Sequence, residues 1–414
     1  MKTASVASAG LEISWWEQLK AFPALVWVVL FGTFISRLSY FMAWPFLVVF
    51  LYRDYGASET YIGAVLAASA LVSGLAGTWM GYVSDKWGRK GVMISGGILS
   101  ALTYAGIGSA HALWQFFVLM LAVGMMRPSL ESPAKALLSD QLDSPKAREL
   151  AQNVRYFLVN AGGAIGPLLG IVFGLNHPQK LFYITGAVYL LYTLILLLAF
   201  MFCTLKAHPL ANSAQRLNLA QVVGVLRRDH LLGFLLIADI LMLVAYSQYE
   251  SSLPQVVTHS GIAQAGKWVG ALVLVNTVTI VVLQFPLLTL LSRYALATRI
   301  RIGVALMAIA QPIFIFSGSH LPLGWLVGVF FLSAGESIVF PSMNVLIDTI
   351  APEHLRGTYF GVASLSILGF ALGPLLGGWV LEYFGSGLLF SGCFVLVLAS
   401  LALFGCASRR QRVQ

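Results

Sequence analysis

The sequence predicts an all-α membrane protein in which twelve transmembrane helices form two pseudo-symmetric six-helix bundles. Three observations lead to this fold class. Of the 414 residues, 58% are hydrophobic and 10% are charged, which excludes an ordinary soluble domain. The apolar residues form runs of the length that crosses a bilayer, about 20 residues per helix. The two halves of the chain also repeat one glycine-rich pattern, so the runs divide into two sets of six.

Twelve apolar runs are predicted to be transmembrane spans. The first begins near Ala24 and continues for a full span, so we expect no cleavable signal peptide before it. The preceding residues 15–20 have the composition of an interfacial anchor. The predicted spans are 24–51, 60–83, 91–110, 112–139, 150–174, 180–203, 231–257, 268–292, 300–318, 322–347, 357–382 and 386–407.

Polar stretches divide the chain into domains. The longest, from Lys206 to Asp229, separates spans 6 and 7, and its residues 217–228 are expected to form a helix on the inner membrane surface. The predicted domains are an N-terminal cytoplasmic or interfacial segment (1–23), an N-terminal bundle (24–203), a cytoplasmic linker (204–230), a C-terminal bundle (231–407) and a cytoplasmic tail (408–414).

Loop charge predicts the orientation of the chain. Eighteen of the 25 lysines and arginines lie on the side that holds both termini, whereas Arg53, Lys180 and Lys267 lie on the other side. Since cytoplasmic loops carry the excess of basic residues, both termini are predicted to be cytoplasmic. We expect a multi-pass protein of the bacterial plasma (inner) membrane. The net charge of +9 is spread over these loops, so no nucleic-acid partner is expected.

The loop between spans 2 and 3 is the most informative short segment. It reads GYVSDKWGRKG, the pattern G-x-x-x-D-x-x-G-R-K. Gly81 and Gly88 allow a close approach or a sharp turn, and Asp85 is expected to close the end of one helix. Arg89 and Lys90 place positive charge at the membrane surface. The alternative is a basic loop that only sets topology.

A glycine-rich segment recurs in the two halves, as GGAIGPLLG in span 5 and as GFALGPLLG in span 11. Subtracting its first position, 162, from 369 gives 207, half the length of the chain. Glycines spaced by four let another backbone pack closely, and the prolines can kink both helices. We interpret these stripes as surfaces on which one half rocks against the other; tight packing alone is the alternative. The gating residues predicted here are Gly162, Gly166, Pro167, Gly170, Gly373 and Pro374.

Ionisable residues inside the spans predict a central passage. Arg37 lies in span 1, Arg127 and Glu131 in span 4, Asp239 in span 7 and Glu336 in span 10. Spans 3, 6, 9 and 12 carry ionisable groups only at their ends. A charge in hydrocarbon is costly and must face a cavity or a partner. Spans 1, 4, 7 and 10 are therefore predicted to line the passage, and spans 3, 6, 9 and 12 to face lipid.

The loop motif, the Gly-Pro-x-x-Gly pattern of span 5 and the half-chain repeat together resemble the drug:proton antiporter family with twelve transmembrane helices, in the major facilitator superfamily. The resemblance extends over the whole chain. It implies the major facilitator fold and alternating access, with proton entry driving the exit of a small lipophilic or amphiphilic compound. It also implies that Asp85 and Arg89 form a latch and that Arg127 takes part in proton coupling.

The sequence departs from the family pattern at two places. The span 5 motif ends in Gly170-Ile instead of Gly-Gly, and the second half keeps only a reduced loop motif from Ser292 to Arg299, without the acidic residue. Any latch is therefore expected to be asymmetric, with the acidic residue of the motif in the first half only. Asp140 and Asp348, at the cytoplasmic ends of spans 4 and 10, are expected to be gate residues that pair with loop arginines; ordinary solvation of a helix end is the alternative.

Four residues are assigned to proton coupling. Glu131 has Arg127 one turn before it and Lys135 one turn after it, which favours an ionised, salt-bridged carboxylate. Asp239 and Glu336 have no cation within one turn, so burial favours the protonated acid that a proton carrier needs. Arg37 would reverse this preference if it reached either carboxylate. The predicted proton-coupling residues are Asp239, Glu336, Glu131 and Arg127.

Substrate contacts are predicted beside these charges. Tyr40, Phe41 and Trp44 lie one to two turns from Arg37, and Tyr246 lies two turns from Asp239. Aromatic rings beside a buried charge suit an amphiphilic or cationic compound, whereas the arginines equally allow an anionic one. Each ring taken alone is more often a packing residue. The substrate-binding residues predicted here are Arg37, Tyr40, Phe41, Trp44 and Tyr246.

Other functions are also considered. A dedicated exporter of one metabolite, such as a siderophore or sugar, is the nearest alternative, and a lipid-moving membrane protein is a remote one. An enzyme is not expected, because the sequence shows no nucleophile and base pair, no His-rich metal spacing and no phosphate loop. Cys203, Cys393 and Cys406 are too widely spaced for a disulfide framework or a metal site. We expect no cofactor and no metal; the expected partners are a small-molecule substrate, protons and membrane lipid, and the chain is expected to be a monomer.

Overall fold

A computed structural model describes residues 15–174, 178–203 and 219–411. Fifteen α-helices account for most of these ranges. They are α1 (Trp15–Lys20), α2 (Ala24–Tyr55), α3 (Glu59–Trp87), α4 (Arg89–Gly108), α5 (Leu113–Gln141), α6 (Pro145–Gly174), α7 (Pro178–Phe202), α8 (Leu219–Arg228), α9 (His230–Tyr246), α10 (Ser252–His259), α11 (Ala265–Leu291), α12 (Leu296–Phe316), α13 (Pro322–Ile350), α14 (Arg356–Ala363) and α15 (Ile367–Gln411).

The predicted fold class is confirmed. Ten segments within the described ranges are long and apolar enough to cross a membrane. One of them, Glu353–Cys406, has 54 residues and contains a non-helical residue, Gly385 (φ 81°, ψ 174°), so it is long enough for two crossings. Helix α6, with 30 residues, corresponds to predicted span 5. Together these segments correspond to the twelve predicted spans.

Each half of the chain has its own hydrophobic core. In the N-terminal half, α2 to α7, the core includes the fully buried Leu47 and Phe116. In the C-terminal half, α9 to α15, it includes Trp325 and Phe390. The domain boundaries stay predictions, because 1–14, 204–218 and 412–414 lie outside the described residues. Helix α8 forms within the stretch 217–228 for which a helix was expected.

Predicted spans 7 and 11 are interrupted helices. Span 7 changes from α9 to a 3₁₀ turn, Ser247–Tyr249, and resumes as α10. Here the Ser247 hydroxyl and the Gln248 amide both donate to the Val244 carbonyl, at 2.9 Å each. Such side-chain bonds compete with the helical ladder. A second 3₁₀ turn, Ser364–Ser366, separates α14 from α15. Helices broken inside a bundle are typical of substrate and ion sites in transporters.

The glycine stripes of spans 5 and 11 do not lie between the halves, so that expectation is wrong. A Cβ at Gly166 would lie 2.6 Å from the Leu38 carbonyl oxygen of α2, and one at Gly369 would lie 2.3 Å from the Ile240 carbonyl oxygen of α9. Both contacts are within one half. The four-residue spacing does bring backbones together, but the neighbour is the first helix of the same bundle.

The close crossing between the halves is formed instead by α3 and α14. A Cβ at Gly81 would lie 2.1 Å from the Gly357 carbonyl oxygen, and one at Gly361 would lie 2.4 Å from the Gly77 carbonyl oxygen. The Thr78 hydroxyl donates to the Gly361 carbonyl at 3.2 Å. We call the end of the molecule where α3 ends and α14 begins the closed end. The hydrogen bonds and ion pairs between the halves described below lie at this end or near the middle of the helices.

A Gly81→Ala variant tests this crossing. The added methyl group meets backbone atoms that cannot rotate away, and overpacking of this kind costs about 1–3 kcal/mol. Separation of the halves relieves the clash, so the closed state should lose population. The measurement is the distance distribution between spin labels at Lys90 and Arg301, which are exposed at the closed end of the two halves, in a variant without the native cysteines. We expect a shift to longer distances.

Gly91→Ala is the matched control, because nothing lies within 4 Å of the Cβ position at Gly91. It should leave the distances unchanged. A Gly81→Ala protein with the same distance distribution as the unmodified chain would contradict the assignment of this crossing.

Candidate functional site

Asp85 joins the halves at the closed end. Its carboxylate accepts hydrogen bonds from the Gly357 amide (2.9 Å), the Thr358 amide (2.5 Å) and the Thr358 hydroxyl (2.6 Å). Leu355, the residue before α14, has no side-chain cap, so Asp85 satisfies the first free amides of a helix in the other half. A carboxylate is also favoured there by the helix dipole. We expected Asp85 to close the end of its own helix; it closes the start of α14 instead.

Two arginines and three aspartates form a buried network around this contact. Arg89 pairs with Asp85 and donates to the Ser84 hydroxyl at 2.8 Å. Asp140 accepts from Arg89 Nε at 3.2 Å and from Arg356 Nη1 at 3.0 Å, so it connects cations of both halves. Arg356 Nε also lies 3.4 Å from Asp348. Four of these residues are buried, and the side chain of Asp140 is only 7% exposed. The pairing expected for Asp140 and Asp348 is therefore present.

The loop glycine and lysine have the positions that the motif predicts. Gly88 has φ 93° and ψ 148°, in the region that favours glycine, and it alone separates α3 from α4. Lys90 is exposed at the start of α4. The turn therefore leaves Arg89 inside the network and its neighbour in solvent.

A second ion pair joins the halves where the repeated loop motif lacks an acid. Arg299 pairs with Glu149, at the start of α6 in the other half. The Tyr294 and Ser292 carbonyls accept from Arg299 at 2.9 and 2.7 Å. The sequence correctly predicted an asymmetric arrangement, but it gave no indication that α6 supplies the acid.

The charges of spans 1 and 4 meet inside the N-terminal half. Glu131 accepts from Arg37 Nη2 at 2.7 Å and from Arg127 Nε at 2.8 Å. The salt-bridged carboxylate that was expected is present, and Arg37 pairs with it. The Arg127 guanidinium lies 5.0 Å from the centre of the Tyr40 ring, which stacks on Trp44 at 5.1 Å. The face of the Tyr40 ring, which was predicted to contact a substrate, is therefore already covered by Arg127.

Phe41 belongs to the same aromatic group. Its ring meets the Tyr40 ring edge-on, with the two centres 5.2 Å apart. It also lies against α6, since a Cβ at Gly163 would lie 3.4 Å from the Phe41 ring. Phe41 therefore packs between α2 and α6 of the N-terminal half.

Glu336 lies between the halves and is bound by three neutral donors. It is only 4% exposed. Tyr246 donates at 2.9 Å and Asn276 at 3.1 Å from the same half, whereas Tyr156 donates at 3.0 Å from α6 of the other half. Sequence reasoning missed Tyr156 and Asn276. Asn276 could have been identified from the sequence, because an asparagine inside a span as apolar as α11 indicates a polar partner.

Asp239 faces a cation of the other half. It lies within electrostatic range of Lys135 and near the Ser366 hydroxyl in the break between α14 and α15. The Lys135 ammonium also lies 5.7 Å from the centre of the Phe360 ring. Asp239 has no cation along its own helix, as the sequence indicates. The sequence did not show that Lys135 of the other half lies within electrostatic range.

Arg155 is a further buried cation that sequence reasoning missed. It lies on α6 and lines a cavity of about 20 Å³ in the N-terminal half, beside Arg37, Arg127 and Glu131. Tyr189 and Tyr192 of α7 line the same cavity. Span 6 was expected to face lipid; it carries no ionisable acid or base in its interior, but its tyrosines reach the charged cluster.

Comparisons with known sequences identify the same kind of protein over most of the chain. A family model described as Major Facilitator Superfamily matches residues 29–367. The chain is 33% identical over 405 residues to the uncharacterized MFS-type transporter YqjV of Bacillus subtilis (strain 168), covering 96% of this chain and 97% of the relative. It is 25% identical over 359 residues to the multidrug resistance protein MdtH of Escherichia coli (strain K12 / DH10B), covering 86% of each.

Solved structures show the same fold. The human organic anion transporter MFSD10 (TETRAN) superimposes with a TM-score of 0.73 at 21% identity, over 92% of this chain and 98% of the other. FucP in the outward conformation superimposes with a TM-score of 0.73 at 17% identity, over the same shares of the two chains.

An Asp140→Asn variant tests the buried network. The change leaves Arg89 and Arg356 with less negative charge in a dry site, where breaking one side of a buried pair costs about 3–5 kcal/mol. The closed state should lose most of its population, again measured by the distances between labels at Lys90 and Arg301. Glu353→Gln is the control, because Glu353 is 66% exposed and 3.6 Å from Arg356, and such pairs contribute about 0–1 kcal/mol. Equal effects of the two variants would contradict the role of Asp140.

Proposed function

Because the chain belongs to the major facilitator superfamily, whose members are multi-pass membrane transporters of small molecules and not enzymes, we propose that it exports small lipophilic or amphiphilic compounds in exchange for protons. The observation that carries the proposal is Glu336, a carboxylate buried at the contact between the two halves with a tyrosine of the other half as a donor. An ionisable group in this position is expensive and needs a role.

The transport cycle follows from the closed end. The count of basic loop residues assigns this end, and both termini, to the cytoplasm of a bacterial inner membrane. The described contacts then correspond to a state closed towards the cytoplasm. Release of Asp85 from α14 and of Asp140 from Arg356 would let the halves part at this end and meet at the other. We take the transporting unit to be the monomer, surrounded by lipid.

Glu336 is the proposed proton carrier. A tyrosine hydroxyl can donate to a carboxylate or accept from a protonated acid, so Tyr156 and Tyr246 can bind Glu336 in both states. Since Tyr156 belongs to the other half, a change in the proton on Glu336 alters a bond between the halves. This is how protonation would bias the conformation.

Asp239 is the proposed second titrating group. In the described state it faces Lys135 across the halves. When the halves part at the closed end, Lys135 moves away with α5 and the carboxylate loses its nearby cation. Arg127 and Glu131 would then hold Arg37 and the N-terminal half of the site in place. The proton gradient supplies about 1.4 kcal/mol per pH unit, and the membrane potential about 2.3 kcal/mol per charge per 100 mV.

The export direction is supported by the antiporter pattern of span 5 and by the multidrug resistance name of relatives such as MdtH. A dedicated exporter of one metabolite is the second candidate. The ion pair of Arg37 with Glu131 and the three hydrogen bonds to Glu336 favour it, since promiscuous sites rely on adaptable apolar surfaces. Susceptibility of cells that lack or overproduce the protein, tested over a panel of compounds and followed by uptake into inverted vesicles, separates the two.

Glu336→Gln is expected to abolish proton-driven uptake into inverted vesicles, because the amide keeps the shape of the side chain but cannot take up and release a proton at physiological pH. Asp239→Asn should reduce it. Glu250→Gln is the control, since Glu250 belongs to the same half but is exposed, and uptake should stay near the unmodified level. If Glu336→Gln and Asp239→Asn both left proton-driven uptake intact, the carrier assignment would be wrong.

Tyr156→Phe and Tyr246→Phe form a matched pair. Each removes one hydroxyl bound to Glu336, but only Tyr156 crosses between the halves. The distances between labels at Lys90 and Arg301 should respond to pH in the unmodified chain and in Tyr246→Phe, and should respond much less in Tyr156→Phe. Identical pH responses of the two variants would show that the bond between the halves does not transmit the proton state.

A further inference from the structure

Arg155 is a buried cation of α6 that lies next to a charged cluster. Its side chain is 4% exposed, and its Nε has no hydrogen-bond acceptor. Within the part of the chain that the structure describes, no ion pair or hydrogen bond of its guanidinium is found. Glu131 lies within electrostatic range of Arg155, but its hydrogen-bonded ion pairs are with Arg37 and Arg127. A buried charge that has no paired neighbour destabilises the fold, so Arg155 is a candidate for a functional role.

The N-terminal half has more positive charge than it can pair. Its interior holds four cations, Arg37, Arg127, Lys135 and Arg155, and one carboxylate, Glu131. Lys135 has Asp239 across the halves. Arg37 and Arg127 share Glu131. Of the two positive charges left over, one belongs to Arg155 and the other is shared by Arg37 and Arg127 around Glu131.

A small cavity lies beside these charges. Its lining includes three cations, Arg155, Arg37 and Arg127, together with one carboxylate, Glu131, and the hydroxyl of Tyr189, and its volume is about 20 Å³. A space of this size holds about one water-sized group. The side chains of Arg37 and Arg127 are 15% and 24% exposed, so solvent reaches the edge of the cluster.

We propose that this cavity binds the anionic group of the transported molecule, with Arg155 as the principal charge partner. A carboxylate, phosphonate or sulfonate can accept two parallel hydrogen bonds from a guanidinium. The inference rests on the proposed function and specifies its substrate class: an amphiphilic molecule that carries an anionic group. A cation is disfavoured, because three arginines repel it and the Tyr40 face is taken by Arg127.

The test measures anion binding by the full-length protein in nanodiscs of phosphatidylcholine, without a proton gradient. The probes are benzoate, phenylphosphonate and 2-naphthalenesulfonate at constant ionic strength, with neutral benzamide for comparison. The readouts are the midpoint of thermal unfolding and the dissociation constant by calorimetry. We expect at least one anion to raise the midpoint of the unmodified chain by about 2 °C or more, and benzamide to leave it unchanged.

Arg155→Gln should separate a binding role from a structural one. We expect it to weaken anion binding at least about tenfold and to raise the midpoint measured without anion, because a buried unpaired charge has been removed. Arg155→Met serves if the glutamine variant does not fold. Arg301→Gln is the control, since Arg301 is exposed at the closed end, and it should change neither value. A second set of nanodiscs with phosphatidylglycerol shows whether an anionic lipid occupies the site instead of a soluble anion.

The inference is overturned if no probe stabilises the unmodified chain, if Arg155→Gln binds the anions as well as the unmodified chain, or if phosphatidylglycerol alone gives the Arg155-dependent shift. Its failure can be told from failure of the proposed function, because binding is measured without transport. If the anion probes do not stabilise the unmodified chain while its proton-driven uptake is intact, only this inference is contradicted. An Arg155-dependent anion effect together with full proton-driven uptake by Glu336→Gln contradicts only the assignment of the proton carrier.

Discussion

A charge inside a membrane protein must be compensated, and this constraint decides where the two halves can meet. The side chains of Arg89, Asp85, Asp140 and Arg356 are buried together at the closed end, where isolated ions would be far more costly than in water. Arg89 pairs with Asp85 and Asp140 inside the N-terminal half, whereas the bonds of Asp140 to Arg356 and of Asp85 to α14 exist only while the halves are in contact. When the halves part, water replaces the lost partners, so the closed state depends on several interactions that form or break together.

Packing at the closed end supports the same network. A Cβ at Gly357 would lie 2.3 Å from Arg89 Nη1 and 2.7 Å from Asp85 Oδ1, so a larger residue would displace the ion pair that caps α14. The crossing of α3 and α14 likewise needs Gly81. Small residues and buried charges are therefore parts of one contact, because the backbone must come close before the carboxylate can reach the amides.

The sequence predicts features that depend on local pattern, and it misses those that depend on distant neighbours. Apolar run lengths predict the twelve spans, and the cost of charge in hydrocarbon identifies Arg37, Glu131, Asp239 and Glu336. The bond from Thr358 to Asp85 joins residues 273 positions apart, and nothing near either residue indicates it. The glycine stripes show the same limit, since a four-residue period predicts a close neighbour but does not say which helix it is. Arg155 was missed because it lies only five residues after the predicted start of its span at residue 150, where a cation usually reaches solvent.

The distribution of charge between the halves also limits how cargo and protons can be coupled. Binding of an anion at Arg155 and protonation of Glu336 would each strengthen the other, because protonation removes a negative charge that faces the anion from the other half. A purely anionic cargo would then bind together with the proton, as cotransport in one direction requires. Exchange requires competition, so under the proposed exchange the cargo would also have to bring a positive or hydrogen-bond-donating group to Glu336 or Asp239. The arginines of the N-terminal half and the carboxylates of the C-terminal half would then together select for an amphoteric molecule, whose departure would leave Glu336 and Asp239 free to bind the next proton.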